Sequence, residues 1–155
     1  MISNTHSNSA TIEELLALPR PLVFTNGVFD ILHSGHVMYL QEASKLGASL
    51  IVGVNSDSSV KMLNKDKDRP LNSEDERAFL LSALRCVTSV HIFSEKTPML
   101  LLRSILPDVY VKGGDYDMDN LEEKYFMDSI GGKAISMEFK KGYSSTALIK
   151  KIRSI

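Results

Sequence analysis

Cysteine is almost absent from this sequence, and charge of either sign is no more than balanced. The single Cys86 among 155 residues rules out an internal disulfide framework. It ends the apolar stretch Ala83-Leu84-Arg85-Cys86-Val87 with no helix start or cationic partner beside it. That context reads as a small buried side chain rather than a nucleophile. No apolar run approaches the roughly 20 residues that cross a bilayer. Met1 to Ala10 is polar and lacks a basic segment leading into an apolar one, so no secretory signal is expected and the cytoplasm is the expected location. Lys and Arg number 18 against 19 Asp and Glu, a formal net charge of -1. No global basic field exists to draw in nucleic acid. Two glycine signatures are missing as well, Gly-x-x-x-x-Gly-Lys-Ser/Thr and Gly-x-Gly-x-x-Gly, which removes support for P-loop and dinucleotide-binding readings.

What is present reads as a globular chain: 43% hydrophobic and 24% charged, ordinary for such a protein and long enough for one sizeable core. Residues 1–10, rich in Ser and Asn, are expected to be a flexible tail, and 11–155 a single domain. Thr11 can cap a short helix carrying Glu13, Glu14 and Leu15, which Pro19 and Pro21 stop. Beyond it the pattern alternates. Leu22 to Thr25, Ser49 to Asn55, Ser89 to Phe93, Asp108 to Lys112 and Ala134 to Phe139 read as strands. Helices are predicted over about 35–46, from Ser56 or Asp57 to Leu63, from the capping box Ser73-Glu74-Asp75-Glu76, from Thr97-Pro98 to Leu106, near 121–130, and from Ser145. Strands continuous in apolar residues and separated by helices predict a parallel five-stranded sheet covered on both faces: a Rossmann-like, doubly wound α/β domain. Ligands in such a sheet bind outside the carboxyl ends of the strands.

The densest chemistry follows the first strand, in Thr25-Asn26-Gly27-Val28-Phe29-Asp30-Ile31-Leu32-His33-Ser34-Gly35-His36. A strand end running into a helix start offers free N–H groups and the positive end of the helix dipole, a setting suited to phosphate. His33 and His36, three apart, share one face of a helical turn and can donate to one anion. Packing or capping is the plain alternative, and a metal pair a third. His6 and His91, the remaining histidines, have no spacing that would complete a zinc site. Two more turns fall at equivalent strand ends. Val111-Lys112-Gly113-Gly114-Asp115 places a lysine for phosphate and an aspartate for a ribose hydroxyl. Gly142-Tyr143-Ser144-Ser145-Thr146 opens the last helix with hydroxyls and N–H groups. Alone, the first would be a Gly-Gly turn and the second a plain cap. Asn55 and Asp57 end the second strand. Lys61, Lys65, Lys67 and Arg69 crowd the next helix and loop, and Arg77 lies one turn into its helix. These charges are either a solvated loop or a lid over phosphates.

Gly27-x-Phe29-Asp30-x-x-His33-x-Gly35-His36 resembles the signature of the HxGH nucleotidyltransferases, the cytidylyltransferase-like family. Val54-Asn55-Ser56-Asp57, Arg69-Pro70, Val111 to Tyr116 and Ser144 to Leu148 extend the likeness over about residues 20–153. These segments are similar to the heptose 1-phosphate adenylyltransferase branch of bacterial ADP-heptose synthesis, in a form without the sugar kinase often fused to it. Two positions depart from that branch. Asn64-Lys65-Asp66-Lys67-Asp68 stands where a Lys-Gly pair precedes Arg-Pro, leaving Lys65 and Lys67 as alternative loop lysines. Lys141 precedes Gly142 where an acidic residue is common.

The resemblance implies transfer of AMP from ATP to D-glycero-β-D-manno-heptose 1-phosphate, giving ADP-heptose for lipopolysaccharide core. A cytidylyltransferase acting on a polyol phosphate or phosphoamine is the nearest alternative, and a nucleotide-binding module without turnover is the alternative of another class. The resemblance further implies His33, His36 and Lys112 at the reacting phosphates. Thr25, Asn26, Gly27, Phe29, Gly35, His36, Gly113, Asp115, Ser144, Ser145 and Thr146 would surround the nucleotide. Asp30, Asn55, Asp57, Lys65 and Arg77 would meet the acceptor. Mg²⁺ is expected to arrive with ATP, with no protein metal ligands, and a homo-oligomer is expected, without membrane or nucleic-acid partners.

Overall fold

The computed structural model describes residues 8–63, 67–114, 116–139 and 142–155. Five parallel strands form one sheet in the order β3-β2-β1-β4-β5. They are β1 (Leu22–Gly27), β2 (Ser49–Asn55), β3 (Ser89–Phe93), β4 (Val109–Gly113) and β5 (Lys133–Met137). The register sets Val23 opposite Leu50 on one side and Val109 on the other.

Side chains alternate between the two faces, so both must be covered. Val23, Leu50, Val52, Val54, Val109 and Val111 pack with Tyr39, Leu40 and Ala43 of α2 (Ser34–Ser44) and Ala78 and Leu81 of α4 (Glu74–Ser82). Leu22, Phe24, Ile51 and Tyr110 point the other way. They meet Leu15 of α1 (Ile12–Leu16), Leu101, Leu102 and Ile105 of α5 (Met99–Ile105), and Met127 of α6 (Glu122–Ser129). A helix as short as α1 has no stability of its own. Burial of Leu15, worth about 1.5–3 kcal/mol, and the Thr11–Glu14 capping box hold it in place. Two further helices, α3 (Asp57–Met62) and α7 (Ser145–Arg153), lie beyond β2 and β5. This is the Rossmann-like, doubly wound architecture that the alternation of patterns predicts.

Boundaries move by one or two residues. α2 runs over 34–44 with His33 as its cap, and β5 over 133–137. Ser73 caps α4 through the expected box with Glu76, whereas Pro98 is itself the cap of α5. The end of the expected tail is attached. Ala10 N–H donates to Val90 O at 2.8 Å, and Ile92 N–H donates to Ser9 Oγ at 2.9 Å. β3 is an edge strand whose free backbone groups need partners, and this segment supplies them. Residues 1–7 lie outside the described residues.

β1 leads into α2 on one face, whereas β4 leads into α6 on the other. A crevice therefore opens at the carboxyl edge between β1 and β4, the place where this topology positions a ligand.

Candidate active site

The site is built on the turn from β1 into α2. Phe29 there has φ of 51°, a left-handed conformation costing an L residue about 1–2 kcal/mol. Burial and an edge-on contact with the His36 ring, centroids 5.4 Å apart, hold it there. The His36 ring in turn stacks on His33 at 3.8 Å. His33 N–H donates to His36 Nδ1 at 3.3 Å. Gly35 permits this closeness: a Cβ there would sit 2.6 Å from Tyr143 Cβ and 3.0 Å from the His33 ring.

Burial, helped by the neighbouring His33, pushes the His36 imidazole down to about 4. The ring is therefore neutral near pH 7. With Nδ1 accepting, its proton sits on Nε2, which makes Nε2 a donor. Burial also holds His33 below the ordinary histidine value. The sign for stability follows from linkage. His36 takes up a proton more readily in the unfolded chain than in the folded one. Stability is therefore full above about pH 6.5 and declines as pH falls toward 4. Melting curves between pH 7.5 and 4 should show wild type losing more stability than His36→Gln over that window. Equal slopes would contradict the assignment.

Asn26, Gly27, Phe29 and His36 line a pocket of about 550 Å³ together with Asn55, Lys112 and Gly113. Beneath it Tyr39 Oη lies 2.5 Å from Thr25 Oγ1 and donates to Val111 O at 3.2 Å. Lys112 reaches in from the end of β4. Its Nζ is 3.5 Å from Glu123 Oε1 and 5.1 Å from the centroid of the Tyr116 ring.

A smaller cleft adjoins this pocket, lined by His33, Tyr143, Ser144 and Lys151 among others. Ser144 caps α7, its Oγ accepting from Ala147 N–H at 2.9 Å. Ser145 Oγ donates to Ile31 O at 3.3 Å, and Thr146 is exposed. The groups expected around the triphosphate are thus spread over two hollows joined by the His33–His36 ring stack. His36 and Lys112 share the first, whereas His33 and Ser144 face the neighbouring cleft, where the Tyr143 ring lies parallel to His33 at 6.3 Å.

Five other expected site residues lie off the pocket wall. Thr25 is fully buried beneath it, closed off by Tyr39. Asp30 is spent on the chain itself: its carboxylate accepts from Arg69 Nε at 2.5 Å, Leu71 N–H at 2.8 Å and Asn72 N–H at 2.9 Å. Burial alone would raise this carboxyl, but those donors and the Arg69 charge outweigh it and hold it below the ordinary range. Arg77, 0% exposed, donates to Val28 O at 2.8 Å, Asn55 O at 2.7 Å, Asn72 O at 3.0 Å and Asp57 Oδ1 at 2.8 Å. Asp30 and Arg77 therefore position the loops around the pocket, whereas the Asp57 side chain, tied to Arg77 through Oδ1, is 40% exposed. Gly35 lines a separate hollow behind α2. Lys65 and Asp115 lie outside the described residues, and Lys67 is exposed.

Sequence reasoning missed Tyr39, Lys96, Thr97, Tyr116, Glu123 and Phe139, all on the pocket wall. Tyr39 had a signal, lying three residues beyond His36 on the same helical face. Lys96 and Thr97 follow β3 at the same sheet edge. Glu123 and Phe139 had none, since tertiary folding alone brings them in. Among the described residues no three His, Cys, Asp or Glu side chains are grouped to hold a metal ion.

The cytidylyltransferase-like family matches residues 24–151, from the centre of β1 into α7. The chain belongs to that family. Among the relatives of this cytidylyltransferase-like chain is a D-beta-D-heptose 1-phosphate adenylyltransferase from Bordetella bronchiseptica. The two are 57% identical over 136 residues, which is 88% of this chain and 84% of that protein. The bifunctional protein HldE of Helicobacter pylori strain P12 is 46% identical over 155 residues, 99% of this chain but 32% of its own length. The chain thus spans about a third of that bifunctional relative. The crystal structure of a lipopolysaccharide core biosynthesis protein from Thermoplasma volcanium superposes with a TM-score of 0.65 at 32% identity, covering 79% of this chain and 98% of that one. A pantothenate synthetase from Thermus thermophilus, 15% identical with a TM-score of 0.63, shares the fold.

Proposed function

We infer that this nucleotidyltransferase moves AMP from ATP to D-glycero-β-D-manno-heptose 1-phosphate, releasing pyrophosphate and forming ADP-heptose for lipopolysaccharide core. One observation carries the reading: a neutral His36 donor and the Lys112 ammonium line one pocket at the β1/β4 crevice, in a chain 57% identical to a heptose 1-phosphate adenylyltransferase. An oxygen of the sugar phosphate attacks the α-phosphorus in line. The bond from that phosphorus to the bridging oxygen breaks, and pyrophosphate leaves with the electron pair. Such transfer asks for positioning and charge stabilisation rather than covalent help. His36 Nε2–H donates to an α-phosphate oxygen, and Lys112 neutralises charge moving toward the leaving group. The positive end of the α2 dipole, next to His36, adds to the attraction for that anion. His33 and the Ser144–Thr146 turn, beside the pocket, take the far end of the triphosphate tail.

Mg²⁺ accompanies ATP in this reading. Among the described residues the pocket's carboxylate, Glu123, is tied to Lys112. Phosphate oxygens and water would hold the ion. A homo-oligomer working in the cytoplasm completes the proposal.

Pyrophosphate release tests it, measured with ATP, CTP, GTP and UTP against heptose 1-phosphate, a polyol phosphate and a phosphoamine. ATP with heptose 1-phosphate should give the highest kcat/KM. A preference for CTP with a polyol phosphate would move the chain to the cytidylyltransferase reading. Tight ATP binding without product from any acceptor would leave a nucleotide-binding module.

A further inference from the structure

A carboxylate is an unexpected lining for a pocket that takes a polyanion, yet Glu123 is there. It lies near the start of α6, is 6% exposed, and lines the same pocket as His36 and Lys112. Its Oε1 stands 3.5 Å from Lys112 Nζ, with the Tyr116 ring 5.1 Å away on the ammonium. The Lys112 side chain is 19% exposed and that of Glu123 8%. A pair this sheltered from water interacts more strongly than a surface ion pair, because screening is weak there. Lysine is a flexible point charge with several rotatable bonds. Left alone in an open pocket, its ammonium would sample many positions.

We propose that Glu123 is a positioning residue that acts through Lys112: it holds the ammonium at the pocket wall and, by its own charge, weakens the grip of the pocket on pyrophosphate and triphosphate. The proposal rests on the reading that this pocket takes ATP. Two consequences follow from the geometry. The ammonium stays aimed along the end of β4 between turnovers, held by Glu123 on one flank and the Tyr116 face on the other. The negative charge on the wall of the pocket disfavours the product that carries most charge, which is pyrophosphate. Glu123 thus trades affinity for release.

The test is calorimetric binding of inorganic pyrophosphate and of ATP to wild type, Glu123→Gln and Glu123→Asp, with steady-state kinetics beside it. Gln keeps the shape and removes the charge; Asp keeps the charge on a shorter arm. Glu123→Gln should bind pyrophosphate more tightly by on the order of tenfold, as expected for deleting one like charge in a partly screened site. Its kcat should fall several-fold while KM for ATP falls too, a split that loss of packing alone would not produce. Glu123→Asp should stay within about twofold of wild type in pyrophosphate affinity, since the charge remains. Unchanged pyrophosphate affinity in Glu123→Gln, with wild type binding ATP, would overturn the proposal and leave the adenylyltransferase reading standing. Equal tightening in the Gln and Asp variants would also overturn it, because charge would not be the cause. Wild type binding neither ATP nor pyrophosphate would remove the reading and this proposal together.

Discussion

Replacing His36 with alanine should lower kcat by at least roughly 10²–10³ while leaving the fold nearly intact. Loss of one donor aimed at the transition state typically has that effect. The structure gives the reason for expecting the effect in kcat rather than in stability. The ring lies on the pocket wall, and its Nδ1 is occupied by the His33 N–H, so its remaining donor is free for ligand. His36 is neutral well below physiological pH, so its role as donor does not fade between pH 6 and 8. A pH profile of kcat over that range should show no limb assignable to this imidazole, and a His36→Gln variant should recover little, because a flexible amide lacks the ring stack on His33 that aims the imidazole. Steady-state pyrophosphate release together with a thermal melt checks the prediction. A variant that turns over within a few-fold of wild type would take His36 out of the chemistry.

The second large effect concerns Arg77, which never touches the pocket. Arg77→Met should destabilise the domain by about 3–5 kcal/mol, the usual result of breaking a buried charge network from one side. The guanidinium braces three segments at once: the β1 turn through Val28 O, the end of β2 through Asn55 O, and the start of α4 through Asn72 O. Its fourth partner, Asp57, belongs to α3. Removing it takes the donor from three carbonyls at once. A domain of ordinary stability has only about 5–15 kcal/mol in total, so a fall in Tm of roughly 10 °C is expected for a chain this long. Activity should fall as well, because Phe29 and Asn55 line the pocket from the segments released. Arg77→Lys should rescue little, since one ammonium cannot span acceptors placed for a planar fork. Denaturant unfolding that places Arg77→Met within 1 kcal/mol of wild type would show the network to be dispensable.

Arg77 also marks where reading the sequence stops. Its position alone left a solvated charge or part of a lid, and the family resemblance implied contact with the acceptor. Only the packing of α4 across two strand ends makes it a buried strut. Asp30 is the same case: it belongs to the turn that resembles the family signature, yet its carboxylate is consumed by the backbone of 71–72 and by Arg69. Features that depend on local chemistry were legible. The Ser73–Glu76 box, the apolar strands and the Gly35 turn each follow from rules acting within a few residues. The parallel, doubly wound class needed only right-handed crossovers and strands covered on both faces, whereas the strand order β3-β2-β1-β4-β5 comes from the fold. Glu123 and Phe139 could not be found that way. Their neighbours in the site, Lys112 and His36, lie 11 and 103 residues away in sequence, and no period or spacing links them.

The division of the site in two was equally hidden. Spacing predicts that His33 and His36 share a face, and they do, stacked at 3.8 Å. It does not reveal that His33 lines a second cleft with Tyr143 while His36 lines the first with Lys112.

The most direct measurement of the central claim is a titration of ATP onto protein labelled with ¹⁵N at histidine, read at the imidazole nitrogens. His36 should appear as the neutral tautomer protonated at Nε2, and its ring signals should shift as ATP fills the site. His91, held against Ala10 O at the β3 edge, should stay where it is. Saturation with ATP that leaves the His36 signals unmoved would contradict the account.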